Sequence, residues 1–144
     1  MTFSTTVTGK DGNTYEFRPL VYICSPYSGR IRQNTETARR FSRFAVDSGC
    51  IPIAPHLLLP QFMDEKTERH DAMHADLVIM GKCKEVFVLV NGNYISGGML
   101  FEISKAISMK KPLRFFTSDG DTFVETDRPE MLDEMLYAGK EANE

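Results

Sequence analysis

The chain has 144 residues, which is the size of one ordinary domain and enough to bury one substantial core. Hydrophobic residues make up 42% of the chain and charged residues 26%, a balance that argues against disorder over most of its length. With 17 basic and 20 acidic side chains the net charge is −3, which excludes a general basic surface for a nucleic-acid polymer.

The cysteines and the N-terminus predict a cytoplasmic protein. Cys24, Cys50 and Cys83 are an odd number, widely spaced, and each lies in an apolar run, which is typical of buried reduced thiols and not of a disulfide framework. No apolar stretch approaches the roughly 18 residues of a membrane span. Residues 1–13 lack the basic and apolar regions of a signal peptide. We therefore expect no membrane partner.

Residues 1–18 predict a β-hairpin that is appended to the main fold. Within them, residues 5–17 alternate loosely around Lys10-Asp11-Gly12-Asn13. An Asp-Gly pair between Thr, Val, Tyr and Phe residues is a frequent hairpin turn.

From Pro19 onward, predicted strands alternate with predicted helices. Continuous apolar runs predict strands that are covered on both faces, at residues 20–24, 51–54, 85–90 and 113–116. A first helix should follow a cap at Asn34 or Thr35 and end before Gly49. Further helices are predicted at about residues 65–82, 97–110 and 127–139.

This alternation predicts an α/β fold with βαβ units and right-handed crossovers. We expect a flavodoxin-like or Rossmann-like three-layer sandwich with a mostly parallel central sheet of four to five strands, plus the hairpin. No linker rich in Pro, Gly or Ser divides the chain, so residues 1–144 should form a single domain. Ligands of such sheets bind beyond the carboxyl ends of the strands, which directs attention to the loops after Cys24, Ala54 and Val90.

The loop after Val90 leads to a candidate catalytic carboxylate. Ser96 is a natural N-cap, and Gly97 and Gly98 would let a ligand approach the helix backbone. Glu102 should lie about two turns into this helix, on the side that faces the loop, where the helix dipole favours its ionised form. An ordinary capped helix with a solvent-facing glutamate fits the same spacing, so both interpretations remain open.

A second carboxylate, Asp76, lies on or beside the apolar stripe of its predicted helix. It follows Met73 by three residues and precedes Met80 by four, so these residues share a helix face. A carboxylate that points inward must be paired, hydrogen-bonded or protonated. A structural ion pair and a catalytic role are both compatible with this position.

The loop after the first strand contains Ser25, Pro26, Gly29 and Arg30, which we predict to bind a ligand. Small residues and glycine after a buried strand are typical of a loop that wraps a ligand, and Arg30 could neutralise a phosphate. The loop is neither a G-x-G-x-x-G fingerprint nor a P-loop, so dinucleotide or ATP binding by those routes is not supported.

Three histidines raise the question of a metal site. His70 and His74 are four residues apart in a predicted helix, but no HExxH motif accompanies them, and we predict no metal. His56 follows the second strand, on the expected ligand edge of the sheet. It should either contact the ligand or brace the loop.

Together these segments resemble the nucleoside 2-deoxyribosyltransferase superfamily, and more closely its small bacterial and phage branch. The resemblance covers roughly residues 20–113 and rests on three blocks: YICSPYSG from Tyr22, DLVIMGKCKEVFVLV from Asp76, and SGGMLFEISKAISMKKP from Ser96. The third block is the most specific, because the family places a serine, small residues and then the nucleophilic glutamate at this spacing.

The resemblance implies a role for four residues. Glu102 matches the nucleophile, Asp76 the carboxylate that handles the proton of the base, Tyr22 the tyrosine that orients the nucleophile, and Ser96 a serine that contacts substrate. Without the resemblance, Tyr22 is simply a core aromatic residue. No metal or organic cofactor is implied.

The sequence departs from the family pattern at two positions. Lys84 stands where the family commonly has an aspartate, and Pro26 replaces a small polar residue of some nucleotide-cleaving members. These departures leave the base and the sugar of the substrate open.

The predicted reaction is cleavage or transfer at the N-glycosidic bond of a nucleoside or nucleoside 5′-monophosphate, through a covalent glycosyl–Glu102 intermediate. Hydrolysis and transfer both fit. One alternative is a catalytically silent module that senses a nucleotide on the same fold. Another is an enzyme that cleaves a larger nucleotide such as NAD.

We also predict a homodimer or higher homo-oligomer. A chain of this length forms a shallow crevice from three loops, whereas a sugar–base ligand needs most of its surface enclosed. Ile79 lies off the apolar stripe of the helix at residues 65–82 and could meet a partner. The resemblance implies the same, since family members complete their sites with a neighbouring subunit.

Overall fold

The computed structural model of the chain describes residues 5–92 and 94–142, and the side chains of residues 140–142 are not considered. Residues 1–4 of the predicted hairpin segment and Asn93 of the predicted ligand loop lie outside the described residues. The strands are β1 (Thr6–Thr8), β2 (Thr14–Glu16), β3 (Leu20–Cys24), β4 (Ile51–Ile53), β5 (Glu85–Leu89), β6 (Leu113–Asp119) and β7 (Thr122–Thr126). The helices are α1 (Ile31–Asp47), α2 (Pro55–Leu58), α3 (Arg69–Lys82), α4 (Gly97–Ser108) and α5 (Met131–Ala142), with a 3-10 turn at Leu59–Gln61.

The main sheet has five strands in the order β4-β3-β5-β6-β7. The first four are parallel to their neighbours, and β7 pairs with β6 antiparallel at the edge. Helices cover both faces, so the predicted α/β fold with a mostly parallel sheet is confirmed. Among the described residues, none of the helices combines the length and the apolar character that a membrane crossing requires.

Alternation along β3 divides its side chains between two cores. Val21 and Ile23 pack toward α1, in a cluster rich in phenylalanine rings, where the centroids of Phe87 and Phe116 are 4.7 Å apart. Tyr22 and Cys24 point to the opposite face and pack in the core that α3, α4 and α5 cover. This alternation places Tyr22 on the same side of the sheet as Glu102 and Asp76.

The predicted hairpin is present as β1 and β2, joined by a turn at Gly12, whose φ of 84° favours glycine. The Asp11 carboxylate accepts hydrogen bonds from the backbone and side chain of Asn13 and from the Tyr15 hydroxyl. All residues of both strands are exposed.

The beginnings of two helices differ from the predictions. Helix α1 begins at Ile31, so neither Asn34 nor Thr35 caps it, and the Asn34 amide instead donates to the carbonyls of Tyr27 and Ser28. Helix α5 begins at Met131 and not at Asp127. In both cases a polar residue of a type that often caps helices lies near the first residue of the helix, and the predicted start is therefore off by a few residues.

The region before α3 also differs. Residues 65–68 precede the helix, because the Asp64 carboxylate accepts the backbone N–H groups of Lys66 and Thr67 and holds a turn there. Ile79 is partly buried against the core, and its place at a partner surface stays a prediction. Its neighbour Val78 is the exposed apolar residue of this helix, at 50%.

Candidate active site

A cavity of about 380 Å³ opens beyond the carboxyl ends of β3 and β4, at the edge where parallel sheets bind ligands. It lies between the loop after β3, helix α2, the start of α3 and the start of α4. The lining residues are Ser25, Tyr27, Ser28, Pro55, His56, Leu59, Pro60, Glu65, Arg69, Ala72, Met73, Asp76, Leu77, Ser96, Gly97, Gly98, Met99, Phe101 and Glu102.

Helix α4 carries Glu102 into this cavity. Ser96 is the N-cap, as predicted, and its hydroxyl oxygen accepts the backbone N–H of Met99 at 3.2 Å. A Cβ atom added at Gly97 would meet only open space, so the helix end leaves room for a ligand. Glu102 lies four residues after Gly98, on the same face, and is 8% exposed. The alternative of a solvent-facing glutamate is therefore excluded.

Burial dominates the electrostatics of Glu102. It raises the pKa of this carboxyl to about 8, and the negative charge of Asp76 adds to the rise. The hydroxyl of Tyr22 and the thiol of Cys24 act in the opposite direction and lower the pKa. Burial therefore outweighs these two contacts, and Glu102 is largely protonated at neutral pH, whereas its helix position alone predicted the ionised form.

Asp76 supplies a second carboxyl group from α3. It is half-buried, and burial raises its pKa to about 6, with a further contribution from the negative charge of Glu65. Its Oδ1 atom is buried and has no hydrogen-bond partner among the described residues.

Two more buried polar atoms near the cavity lack partners among the described residues: the Tyr22 hydroxyl oxygen and Ser25 Oγ. Tyr22 is fully buried beneath the cavity, where burial and the charge of Glu102 raise its pKa well above the usual value and keep it a donor. Buried polar groups are normally hydrogen-bonded, and leaving one unpaired costs about 1–3 kcal/mol. Ser25 Oγ and Asp76 Oδ1 lie at the cavity wall, where a bound ligand would complete them, whereas the Tyr22 hydroxyl lies beneath the wall and acts on Glu102.

His56 lies next to Glu102 as a neutral side chain. Its Nε2 atom is 3.9 Å from Glu102 Oε1, and its ring centroid is 4.4 Å from that of Tyr27. Burial lowers the pKa of His56 to about 4, so this contact is not an ion pair at neutral pH. In the part of the chain that the structure describes, no three His, Cys, Asp or Glu side chains are placed together to hold a metal ion.

The structure brings most of the predicted site residues together, and leaves three of them out. Glu102, Asp76, Ser25, His56, Ser96, Gly97 and Gly98 line the cavity, with Tyr22 directly beneath it. Pro26, Gly29 and Arg30 do not line it. Gly29 has a φ of 90°, and Arg30, which immediately precedes α1, is exposed. The predicted contact between Arg30 and a ligand phosphate in this cavity therefore has no support in the structure.

Several lining residues were not predicted, among them Glu65, Arg69 and Phe101. A signal for Arg69 exists in the sequence, because Arg69, Met73 and Asp76 are spaced i, i+4 and i+7 and so share one helix face. Glu65 lies four residues before Arg69 and would share that face in the predicted helix, although the structure places it in the turn before α3.

Comparison with known proteins agrees with this fold. Residues 19–116 match the family described as Domain of unknown function (DUF7768). A solved 2-deoxyribosyltransferase from Bacillus psychrosaccharolyticus is similar with a TM-score of 0.59 and 18% identity, over 81% of this chain and 82% of that one. One from Leishmania mexicana is similar with a TM-score of 0.54 and 14% identity, over 70% of this chain and 65% of that one. No curated protein sequence matches. The predicted resemblance is thus confirmed at the level of the fold.

Proposed function

We propose that this chain, which belongs to the DUF7768 family, is an enzyme that cleaves or transfers the N-glycosidic bond of a nucleoside or nucleoside 5′-monophosphate. The observation that carries the proposal is the pair of carboxyl groups in one cavity, Glu102 and Asp76, which interact electrostatically and both have raised pKa values. Strongly perturbed carboxyl groups in a cleft are typical of catalytic acids, bases and nucleophiles. The deoxyribosyltransferase-like fold supports the same choice.

In the proposed reaction the two carboxyl groups share one proton, which Glu102 holds in the free enzyme and passes to Asp76 before the attack. Ionised Glu102 attacks C1′ of the sugar through an oxocarbenium-like transition state, and the C1′–N bond breaks with its electron pair leaving on the base. Protonated Asp76 gives its proton to the departing base. Water or a second base then attacks C1′ and gives a proton to the Asp76 carboxylate while the C1′–O bond to Glu102 breaks, so the configuration at C1′ is retained.

The groups around Glu102 suit this step. The Tyr22 hydroxyl and the Cys24 thiol stabilise the ionised carboxylate that must attack, while burial raises its basicity. Ser25, Ser96 and His56 offer polar atoms to the sugar or base at the cavity wall, and Gly97 and Gly98 allow close approach. Cys24, Cys50 and Cys83 are free and buried, which fits the cytoplasm.

The experiment that tests the proposal is a mass-spectrometric screen for free base after incubation with a panel of nucleosides and nucleotides. Appearance of free base, or of an exchanged nucleoside when a second base is added, supports it. Ligand-induced thermal stabilisation without any turnover would favour the silent sensor instead. Release of nicotinamide from NAD alone would favour the cleavage of a larger nucleotide.

The pH dependence of kcat/KM should be bell-shaped, with a maximum near pH 7. The active form holds one proton on the Asp76–Glu102 pair, and the pair has apparent pKa values of about 6 and about 8. Below the lower value both groups are protonated and no nucleophile exists, and above the upper value no acid remains. The rate should fall about tenfold per pH unit on either side. Initial rates of base release in a constant-ionic-strength buffer series measure this.

The Asp76→Asn variant provides the control for that profile. It removes the acid and leaves Glu102 as the only titrating group of the pair, so its low residual rate should rise with pH and then level off. That rise should lie below pH 8, because the negative neighbour that raises the pKa of Glu102 is gone. A wild-type rate that does not vary between about pH 5 and about pH 9 would contradict the shared-proton mechanism.

We also propose that the protein is a homodimer or higher homo-oligomer whose interface lies close to the cavity. Phe101 lines the cavity and is nevertheless 37% exposed, and Phe62, beyond the 3-10 turn that also lines it, is 66% exposed. Large apolar side chains at the rim of a site are typical of an interface. Light scattering should give at least twice the mass of one chain, and a fully active monomer at micromolar concentration would rule the proposal out.

A further inference from the structure

The loop after β3, residues 25–30, forms one wall of the cavity although it is neither helix nor strand. Ser25, Tyr27 and Ser28 line the cavity from this loop. Such a segment has no regular ladder of backbone hydrogen bonds, and loops are in general more mobile than the elements they join. A wall of defined shape therefore requires side chains from elsewhere that hold the loop backbone in place.

Asn34 supplies such hydrogen bonds from the first turn of α1. Its Nδ2 atom donates to the carbonyl oxygen of Tyr27 at 3.0 Å and to that of Ser28 at 3.2 Å. The two hydrogens of one side-chain amide thus bind two consecutive carbonyl groups of the loop. The backbone N–H of Asn34 donates to the carbonyl oxygen of Arg30 at 2.8 Å. The loop is thereby attached to a helix of 17 residues.

Tyr27 connects this loop to the residues beside Glu102. The centroid of its ring lies 4.4 Å from that of the His56 ring, and the two planes are inclined by 44°. His56 Nε2 lies in turn 3.9 Å from Glu102 Oε1. Helix α2, which carries His56, has four residues and is too short to be stable on its own. The Tyr27 ring therefore helps to fix the position of His56, and His56 limits the directions that the Glu102 carboxyl group can take.

We infer that Asn34 is a positioning residue, which fixes the loop after β3 and through it the His56 ring beside Glu102. The inference rests on the proposed function and adds to it a residue that does not itself line the cavity. Without the amide, the carbonyl groups of Tyr27 and Ser28 bind water instead, and the loop gains other conformations. A displacement of about 1 Å near reacting groups can lower a rate by about a hundredfold.

The test compares kcat and KM for base release by wild type, Asn34→Ala and Gln33→Ala, with deoxyadenosine and thymidine as substrates. Gln33→Ala is the matched control, because it removes an amide from the neighbouring, exposed position of α1, which does not line the cavity. Asn34→Ala should lower kcat/KM by about tenfold or more, mostly through kcat, since the reacting carboxyl group is the one displaced. Gln33→Ala should keep the wild-type values. Wild-type kcat/KM in folded Asn34→Ala protein would overturn the inference.

A double-mutant cycle with Tyr27→Leu separates positioning from a general loss of stability. If Asn34 acts through the Tyr27 ring, Asn34→Ala should cost less than about twofold in kcat/KM when Tyr27→Leu is already present. General destabilisation lowers the activity by the same factor in both backgrounds. Equal losses in the two backgrounds would therefore refute the inference.

Asn34→Asp repeats the measurement with a side chain of the same size. Its carboxylate has no N–H group to donate to the loop, and an acidic residue in the first turn of a helix is favourable for stability. This variant decides the inference if Asn34→Ala does not fold. A loss of about tenfold or more supports it, and an unchanged kcat/KM refutes it.

The contact between the two rings can also be measured without substrate, by the nuclear Overhauser effect between the ring protons of Tyr27 and His56. Wild type and Gln33→Ala should show this effect, and Asn34→Ala should lose it. The measurement decides the inference even if wild type releases no base, a result that would contradict the proposed function alone. Persistence of the effect in Asn34→Ala would show that the amide does not hold the loop, and the inference would then be wrong.

Discussion

The Glu102→Ala variant is expected to lose base release by at least about a thousandfold while keeping the native fold. In the proposed mechanism the carboxylate that forms the bond to C1′ is then absent, and no other carboxylate occupies its position on α4. Asp76 reaches the cavity from another helix and in that mechanism serves the base, and His56 is a neutral imidazole. The remaining cavity would bind substrate without providing the covalent route.

The fold of Glu102→Ala should survive because Glu102 is not held in a salt bridge at neutral pH. Among the described residues, the one side chain within ion-pair distance of Glu102 is His56, at 3.9 Å, and His56 is uncharged at neutral pH. Circular dichroism and thermal unfolding should therefore show a folded protein. Glu36→Ala, on the exposed surface of α1, is a matched control and should keep full activity. Undiminished base release by folded Glu102→Ala protein would remove the central claim.

The parts of the fold that could be predicted from sequence are those in which one local pattern has one structural outcome. The short continuous apolar runs at β3 and β5 are typical of strands that are buried on both faces of a sheet. Both strands begin at the predicted residues. Ser96 before two glycines predicts a helix start, and the structure has the N-cap there.

Strand β7 was not predicted, and its environment explains why. It is an edge strand in which four of five side chains are exposed, so it has no apolar run, and only Phe123 is buried. Gly120, with a φ of 63°, follows Asp119 in the turn that joins β6 to β7, and this Asp-Gly pair was a usable signal.

The candidate site was predicted less completely than the fold, because its electrostatics arise from tertiary packing. Helix position alone favoured an ionised Glu102, whereas the depth of the cavity and the approach of α3 raise its pKa. Glu65 enters the wall from the turn that precedes α3, whereas the periodicity placed it within the helix. Arg30 has suitable chemistry for a phosphate, but it is exposed and does not line the cavity.

Stability should show the raised pKa of Glu102 directly, without any substrate. In the unfolded chain this carboxyl titrates near 4.5, and in the folded protein its pKa is about 8. Between these values the folded state holds a proton that the unfolded state has released, so the unfolded state binds fewer protons and the free energy of unfolding falls as pH rises. Above pH 8 both states are ionised and the loss is complete.

The Glu102→Gln variant removes this loss because its amide resembles the protonated acid and does not titrate. Its free energy of unfolding relative to wild type should be near zero at pH 4.5 and should grow until about pH 8. The gap between the two pKa values sets an upper limit of about 5 kcal/mol on that gain. Urea unfolding at a series of pH values measures it, with Glu36→Gln on the surface as a control that should show no such trend.

Asp76→Asn should show the same sign of effect in a narrower window. The pKa of Asp76 is about 6 in the folded protein. The free energy of unfolding of Asp76→Asn relative to wild type should therefore rise between pH 4 and pH 6 and remain constant above pH 6. The two variants therefore separate the two carboxyl groups by pH. The deciding quantity is the difference in free energy of unfolding between Glu102→Gln and wild type. If this difference is the same at pH 5 and at pH 8, Glu102 is ionised in the folded protein without substrate, and the shared-proton description of the pair is wrong.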